Sequence, residues 1–444
     1  MDTSQDPVAM EILLALQLRT TDEPFLPRLK TFVCHKPTEA FIPFVSLFLS
    51  PKTTGINIEF ARNSPTLVVA STISRISGLC SDLESIDLKG LARDPVVIEA
   101  VSDMLLSCNR DSLRQFLVDS PLTEEAREVV YKLPKLSDLS AVIQGRTLLP
   151  PVSLPNLVSI DVKYDDYLDW LQGFRGTTLE KLASVWIYCE SKKIGDFLEA
   201  FESVAVAASV HSTLTSFVFF SSRSWNPSYL SLLSFKQLET LRIDFSCDDG
   251  CSSRVDDDVI TTLAQAMPKL EKLRLGRAPC KTPTGATVDG LISLAFHCPK
   301  LSELRIHFQV GSLVAAASIA AKMSPSDEPA IRRKVCALTD LEVGNIPIPV
   351  ESVSTIALFL LQIFPRIHKI KYADPGWIKV AKTIKNFRQL GSYVHSAGKT
   401  RGRVYPSLLT KCQEDGVDIR WGDGWILHCT SHGDRRMRGG ESDC

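Results

Sequence analysis

No apolar run in this sequence is long enough to cross a bilayer. The longest, Thr355 to Phe364, covers 10 residues, about half of what a membrane helix needs. No basic-then-apolar signal segment opens the chain, so the expected location is the cytosol or nucleus, with no membrane partner. Charge of one sign is lacking too. The 50 lysines and arginines meet 51 aspartates and glutamates, for a net charge of −1. No overall field therefore draws the chain to nucleic acid or anionic lipid.

Reaction chemistry leaves no signature either. The eight histidines are dispersed, and neither a Gly-x-Ser-x-Gly elbow nor a His-Glu-x-x-His helix is present. His297, at a helix end, and His307, beside a strand, read as structural or surface residues. Gly398-Lys399-Thr400 resembles the end of a phosphate-binding loop, but Tyr393 stands where that loop requires a glycine. It reads as a flexible basic turn. Of the 12 cysteines only Cys247 and Cys251 form a tight pair, and no second pair or histidine cluster follows at zinc-site spacing. Cys429 and His432 stand alone near the end. The sequence therefore predicts no enzyme, no cofactor and no metal, with the cysteines as reduced core thiols.

What the chain does have is repetition. Phe235-Lys-Gln-Leu238-Glu-Thr-Leu241-Arg-Ile243 returns as Met267-Pro-Lys-Leu270-Glu-Lys-Leu273-Arg-Leu275 and again as Cys298-Pro-Lys-Leu301-Ser-Glu-Leu304-Arg-Ile306. Each copy reads L-x-x-L-x-[LI], the strand signature of a leucine-rich repeat. From Leu83 the pattern recurs at Leu113, Leu136, Leu157, Leu182, Leu214, Leu238, Leu270, Leu301, Leu338 and Ile367. Leu29 to Cys34 is a first strand, and Ile56-Asn-Ile58 fits the pattern poorly. Between strands, apolar residues recur at three and four, as in Val259, Leu263 and Met267.

Parallel strands inside and helices outside bury both stripes. The predicted fold is therefore α/β, a leucine-rich-repeat solenoid shaped as a curved horseshoe. The solenoid spans residues 25–372, behind an N-terminal helix within 1–24. A cap of one helix and a short hairpin follows over 373–430, with Trp377, Val380 and Ile384 on the inward side of the helix and lysines opposite. Residues 431–444 read as a disordered tail. Asp256-Asp257-Asp258 lack calcium-loop spacing and are expected to cap the next helix. Ser324 to Pro329, with Arg332-Arg333-Lys334 behind it, reads as a solvated insertion in preference to a phosphorylated switch.

One constellation follows from the register. Between the second and third apolar residues of successive strands stand Arg242, Arg274, Arg305, Glu342 and Lys371. At about 4.8 Å between strands these side chains form a ladder on the inner face. Stacked arginines repel unless Glu239, Glu271 and Glu303 beside them, or an anionic partner, offset the charge. Arg242, Arg274, Arg305 and Lys371 are thus the candidate partner-binding residues. Earlier rungs carry Asp87 and Asp161, which predicts an acidic end and a basic end.

The order of elements resembles the leucine-rich-repeat region of the large fungal set of F-box-like proteins. The resembling residues are Leu26-Pro-Arg-Leu29, Pro43-Phe44, Phe48-Leu49-Ser50-Pro51, Cys80-Ser-Asp-Leu83, Val259 to Leu275, and Leu294-Ala-Phe-His-Cys-Pro-Lys-Leu301. In that family an F-box ahead of the repeats docks on a Skp-type adaptor and presents substrates to a cullin-based ubiquitin ligase. Pro7 to Leu14 echoes only the first F-box helix, so residues 1–24 are either a capping helix or an F-box remnant. The resemblance implies a monomeric substrate adaptor that binds a protein on its concave face or rim loops. A stand-alone scaffold or inhibitor of the ribonuclease-inhibitor kind is the alternative. A hydrolase in the C-terminal segment would require turnover that depends on Lys399.

Overall fold

One buried side chain per repeat sets the position of every strand. In the computed structural model, Leu83, Leu113, Leu136, Leu157 and Leu214 are inaccessible to solvent, as are Leu238, Leu270, Leu301, Leu338 and Ile367. The strand that follows begins two residues later in each case. Burying one such leucine stabilises the fold by about 1.5–3 kcal/mol. A repeat that slipped by one residue would turn its apolar set outward and lose that contribution. The residues described are 25–143, 154–164, 179–189, 197–207, 209–221, 229–245, 255–276, 285–309, 336–343, 347–371 and 374–399. Residues 11, 13–15, 311, 313 and 315 are described as helical, and 417–422 and 426–431 as backbone.

Among these residues the strands pair parallel in sequence order, eight in one run and five in a second, with helices alternating between them. This is the predicted α/β solenoid, with the successive-repeat topology of a leucine-rich repeat. The chain divides into two compact units, Met1–Arg223 and Ser224–Cys444. The first holds β1 (Thr31–His35), β2 (Gly55–Glu59), β3 (Ser85–Lys89), β4 (Gln115–Pro121), β5 (Asp138–Ile143), β6 (Ser159–Tyr164), β7 (Ser184–Cys189) and β8 (Ser216–Ser221). Its helices are α1 (Thr66–Leu79), α2 (Pro95–Ser107), α3 (Glu124–Val130) and α4 (Phe197–Ala207). The second holds β9 (Thr240–Phe245), β10 (Lys272–Leu275), β11 (Glu303–Arg305), β12 (Asp340–Glu342) and β13 (Lys369–Lys371). Its helices are α5 (Asp257–Ala266), α6 (Val288–His297), α7 (Val353–Ile363) and α8 (Pro375–Lys399).

The strand that the pattern barely registers, Ile56-Asn-Ile58, is a full member. Thr53 occupies the leucine position there, fully buried, and its hydroxyl donates to the Leu29 carbonyl at 3.0 Å. A hydroxyl that satisfies itself on the preceding repeat replaces the missing apolar contact.

The same device recurs one residue after the anchor. Ser137, Thr215, Ser302 and Thr339 each donate a hydroxyl to the backbone carbonyl at the equivalent place of the preceding repeat, in Arg114, Ala183, Glu271 and Ser302. Buried thiols act likewise. Cys80 Sγ lies 3.5 Å from the Ser50 carbonyl, Cys298 Sγ 3.6 Å from that of Met267, and Cys336 Sγ 3.6 Å from that of Cys298. Burial pushes the Cys80 thiol up to about 11 and that of Cys298 up to about 12. Held neutral, these cysteines are structural donors and not nucleophiles.

Asp256 caps the helix after it, as the sequence predicts, and three further helix starts are capped in the same way. Asp94, Thr123, Asp256 and Thr287 each accept a first-turn N–H through the side chain. In α8, Trp377, Val380 and Ile384 are buried while Lys379, Lys382 and Lys385 are exposed. The helix packs on α7 and β13, at the last repeat of its unit. It runs through Gly398 and Lys399, where the sequence suggested a turn, because no proline interrupts the stretch after Pro375. The expected hairpin is present as β14 (Val417–Gly422) and β15 (Ile426–Ser431), paired antiparallel. The 324–334 insertion, the Cys247–Cys251 pair and the 432–444 tail lie outside the described residues.

Candidate partner-binding face

Counting four residues on from each anchor gives the middle row of the face away from the helices. In the second unit this row is Arg242, Arg274, Arg305, Glu342 and Lys371, joined rung to rung by parallel pairing. The predicted ladder therefore exists. Its charge is met by carboxylates of the same unit. Arg242 donates through Nε to Asp244 at 2.7 Å, Arg274 bridges to Glu303, and Arg305 Nε lies 3.4 Å from Glu342. Glu303 was an expected partner. Asp244 was not, although two residues along a strand return to the same face. The Arg305 side chain is only 10% exposed, so this rung belongs to the sheet's packing more than to solvent. Lys371, at the end of the row, is exposed.

In the first unit the middle row reads Asn57, Asp87, Leu117, Ser140, Asp161, Trp186 and Val218. Asp87, expected at an acidic end, is buried and paired with Lys89 at 3.0 Å. On one flank Ser85 donates to Gln115 at 2.9 Å, and Gln115 donates to Asp138 at 3.3 Å. On the other, His35 and Lys36 both approach Glu59, at 3.5 and 3.3 Å. The Lys36 ammonium holds the Glu59 carboxyl below the usual range.

An open cavity of about 920 Å³ lies over this face. Leu117, Ser140, Asp161 and Trp186 line it, together with Asp138 and Lys163. Its rim is fixed by a backbone device. After Lys89 the chain turns at Gly90, whose φ of +74° lies in the left-handed region that favours glycine. Asp119, in the part of β4 where the register to β5 shifts, accepts the N–H groups of Gly90 at 2.8 Å and Leu91 at 3.0 Å.

Two side chains on the floor differ from their surroundings. Trp186 is 36% exposed, and its indole N–H donates to Ser184 at 3.1 Å. Asp161 carries a buried Oδ1 without a hydrogen-bond partner. Burial pushes its carboxyl up, against the opposing pull of Lys163 and a hydrogen bond from Ser140. Lys163 places its ammonium 6.0 Å from the centre of the Tyr188 ring on the next strand. Trp186 was not singled out from the sequence, yet the same count of four from Leu182 reaches it.

No protein-family model and no curated protein matches this chain. Among the described residues no helix is long and apolar enough to cross a membrane.

Proposed function

We propose that this chain is a non-enzymatic protein-binding solenoid, which holds a partner protein against the helix-free face of its sheet. The observation that supports it most is Trp186, a large aromatic left partly exposed on the floor of an open cavity lined mostly by polar and charged residues. An exposed aromatic forgoes hydrophobic stabilisation in the free protein, and such residues are enriched where proteins bind one another. The family resemblance adds the context of substrate recognition for a cullin-based ubiquitin ligase. The ladder of Arg242, Arg274, Arg305 and Lys371 is then a subsidiary contact, because the first three have carboxylate partners within their own unit.

The test is affinity capture from cells with the full chain as bait, alongside a Trp186→Ala bait. One protein recovered in stoichiometric amount with the parent and lost with the variant is expected, accompanied by a Skp-type adaptor and a cullin with both baits. Recovery of the partner without adaptor or cullin makes the chain a stand-alone scaffold. A bait that captures nothing beyond background sinks the binding role.

A further inference from the structure

We propose that Trp186 and Asp161 together form a recognition point for one cationic side chain, a lysine or arginine on an extended segment of the partner. The inference deepens the protein-binding reading and rests on it. The two residues are register partners on neighbouring strands, β7 and β6, so their side chains leave the sheet side by side, about 4.8 Å apart at the backbone. Both line the same cavity.

Each residue lacks the same thing. The polar edge of Trp186 is already used on Ser184, which leaves the ring face to meet a ligand. Ring faces attract cations within about 6 Å. Asp161 receives a hydrogen bond from Ser140 and the attraction of Lys163 and Lys89, but its buried Oδ1 has no hydrogen-bond partner. Two lysines nearby are engaged elsewhere: Lys163 lies over Tyr188, and Lys89 is paired with Asp87. Two residues along both strands, the chain has already built the combination in question, a cation against an aromatic on the adjacent strand. At Trp186 the neighbours on the row are Asp161 and Val218, neither of them cationic, so the matching cation would be a ligand's.

The competing occupants fit less well. Lys36, Arg62, Lys89 and Lys163 also line the cavity, but Lys36 and Lys89 are paired with Glu59 and Asp87 and Lys163 lies over Tyr188, so a phosphate beside Trp186 would meet Asp161; an apolar side chain would bury that carboxylate further without supplying a donor. A bare inorganic cation would use the carboxylate and leave the ring unused. Leu117, Ser140, Asp161 and Trp186 come from four consecutive strands, roughly 14 Å of sheet at 4.8 Å per strand. An extended peptide of about four residues crosses that distance.

The experiment is selection of a heptapeptide display library on the full-length protein, followed by binding measurements with the enriched peptides. Enrichment of lysine or arginine at one position is expected, with affinity about tenfold weaker for Trp186→Ala and for Asp161→Asn. Trp186→Phe keeps a ring and should lose less. Asp161→Lys should move the enrichment to aspartate and glutamate, a reversal of sign that a folding defect would not produce. Enriched peptides without a basic residue, or ones that bind both variants as tightly as the parent, overturn the inference and leave the protein-binding function standing. If no peptide is enriched while capture from cells still yields a partner, the extended cationic ligand is likewise ruled out. Failure of both experiments removes the binding function itself.

Discussion

Asp257 caps a helix that is not its own. Its Oδ1 accepts the backbone N–H of Thr287 at 2.7 Å and that of Gly290 at 3.0 Å, while Oδ2 takes the Thr287 hydroxyl at 2.6 Å. Asp257 opens α5 and Thr287 is the N-cap of α6, so one carboxylate ties the starts of two successive helices. Its charge also lies at the positive end of both helix dipoles.

Asp257→Ala should therefore cost about 2–3 kcal/mol, more than an ordinary cap, because three donors lose their acceptor at once. Asp257→Asn keeps an acceptor oxygen and should cost about half as much. The unfolding midpoint in urea, measured for both variants, checks this order. Equal losses would show that charge, and not hydrogen bonding, carries the contact.

Gly90→Ala should destabilise the first unit by at least about 2 kcal/mol. A β-carbon at this positive φ would come within 2.0 Å of the Phe60 carbonyl oxygen, which is backbone and cannot move aside. A lower thermal midpoint together with faster proteolysis near residue 90 is the expected result.

The Arg305–Glu342 pair offers a test of whether the arginine row is structural. Arg305→Ala and Glu342→Ala should each cost about 1–3 kcal/mol, discounted from the fully buried case because the glutamate is 20% exposed. In the double variant the losses should fall short of their sum by about 1 kcal/mol. Strict additivity would mean that the two groups do not interact.

Asp161 should make stability depend on pH in the sense opposite to most carboxylates. Lys163 on β6, Ser140 on β5, Trp186 on β7 and Lys89 on β3 surround it, and burial outweighs the two lysines, so the folded protein holds its proton to higher pH than the unfolded chain does. Between those two pKa values the folded state binds more protons. The contribution is therefore favourable below the unfolded value, near 3.9, and is lost as pH rises through the folded one. Asp161→Asn should melt higher than the parent at pH 7, and the gain should shrink as pH approaches 4. A gain that does not change with pH would contradict this account.

The fold was legible because a single apolar anchor per repeat fixes both the start of a strand and its facing. Where Thr53 replaces leucine, the pattern faded although the strand did not, since a hydroxyl on the Leu29 carbonyl satisfies the same position. The arginine row was legible from spacing, but its partners were only partly so. Glu303 sits one strand over on a diagonal, and Asp244 lies two residues along on the same strand. The cavity could not be read at all, because its rim depends on where Gly90 turns and on Asp119 reaching back from β4. Trp186 was within reach of the same count that found Asp161.

The hydroxyls and thiols that reach back to the preceding repeat leave the connecting segments free of that duty. Between successive anchors the chain uses as few as 21 residues, from Leu136 to Leu157, and as many as 37, from Leu301 to Leu338. The strands pair in register in both places. Register and loop length are thus inherited separately. Insertions, deletions and exchanged loops can accumulate at the rim while the sheet keeps its geometry, so that, under the proposed function, one scaffold could change its choice of partner without being refolded.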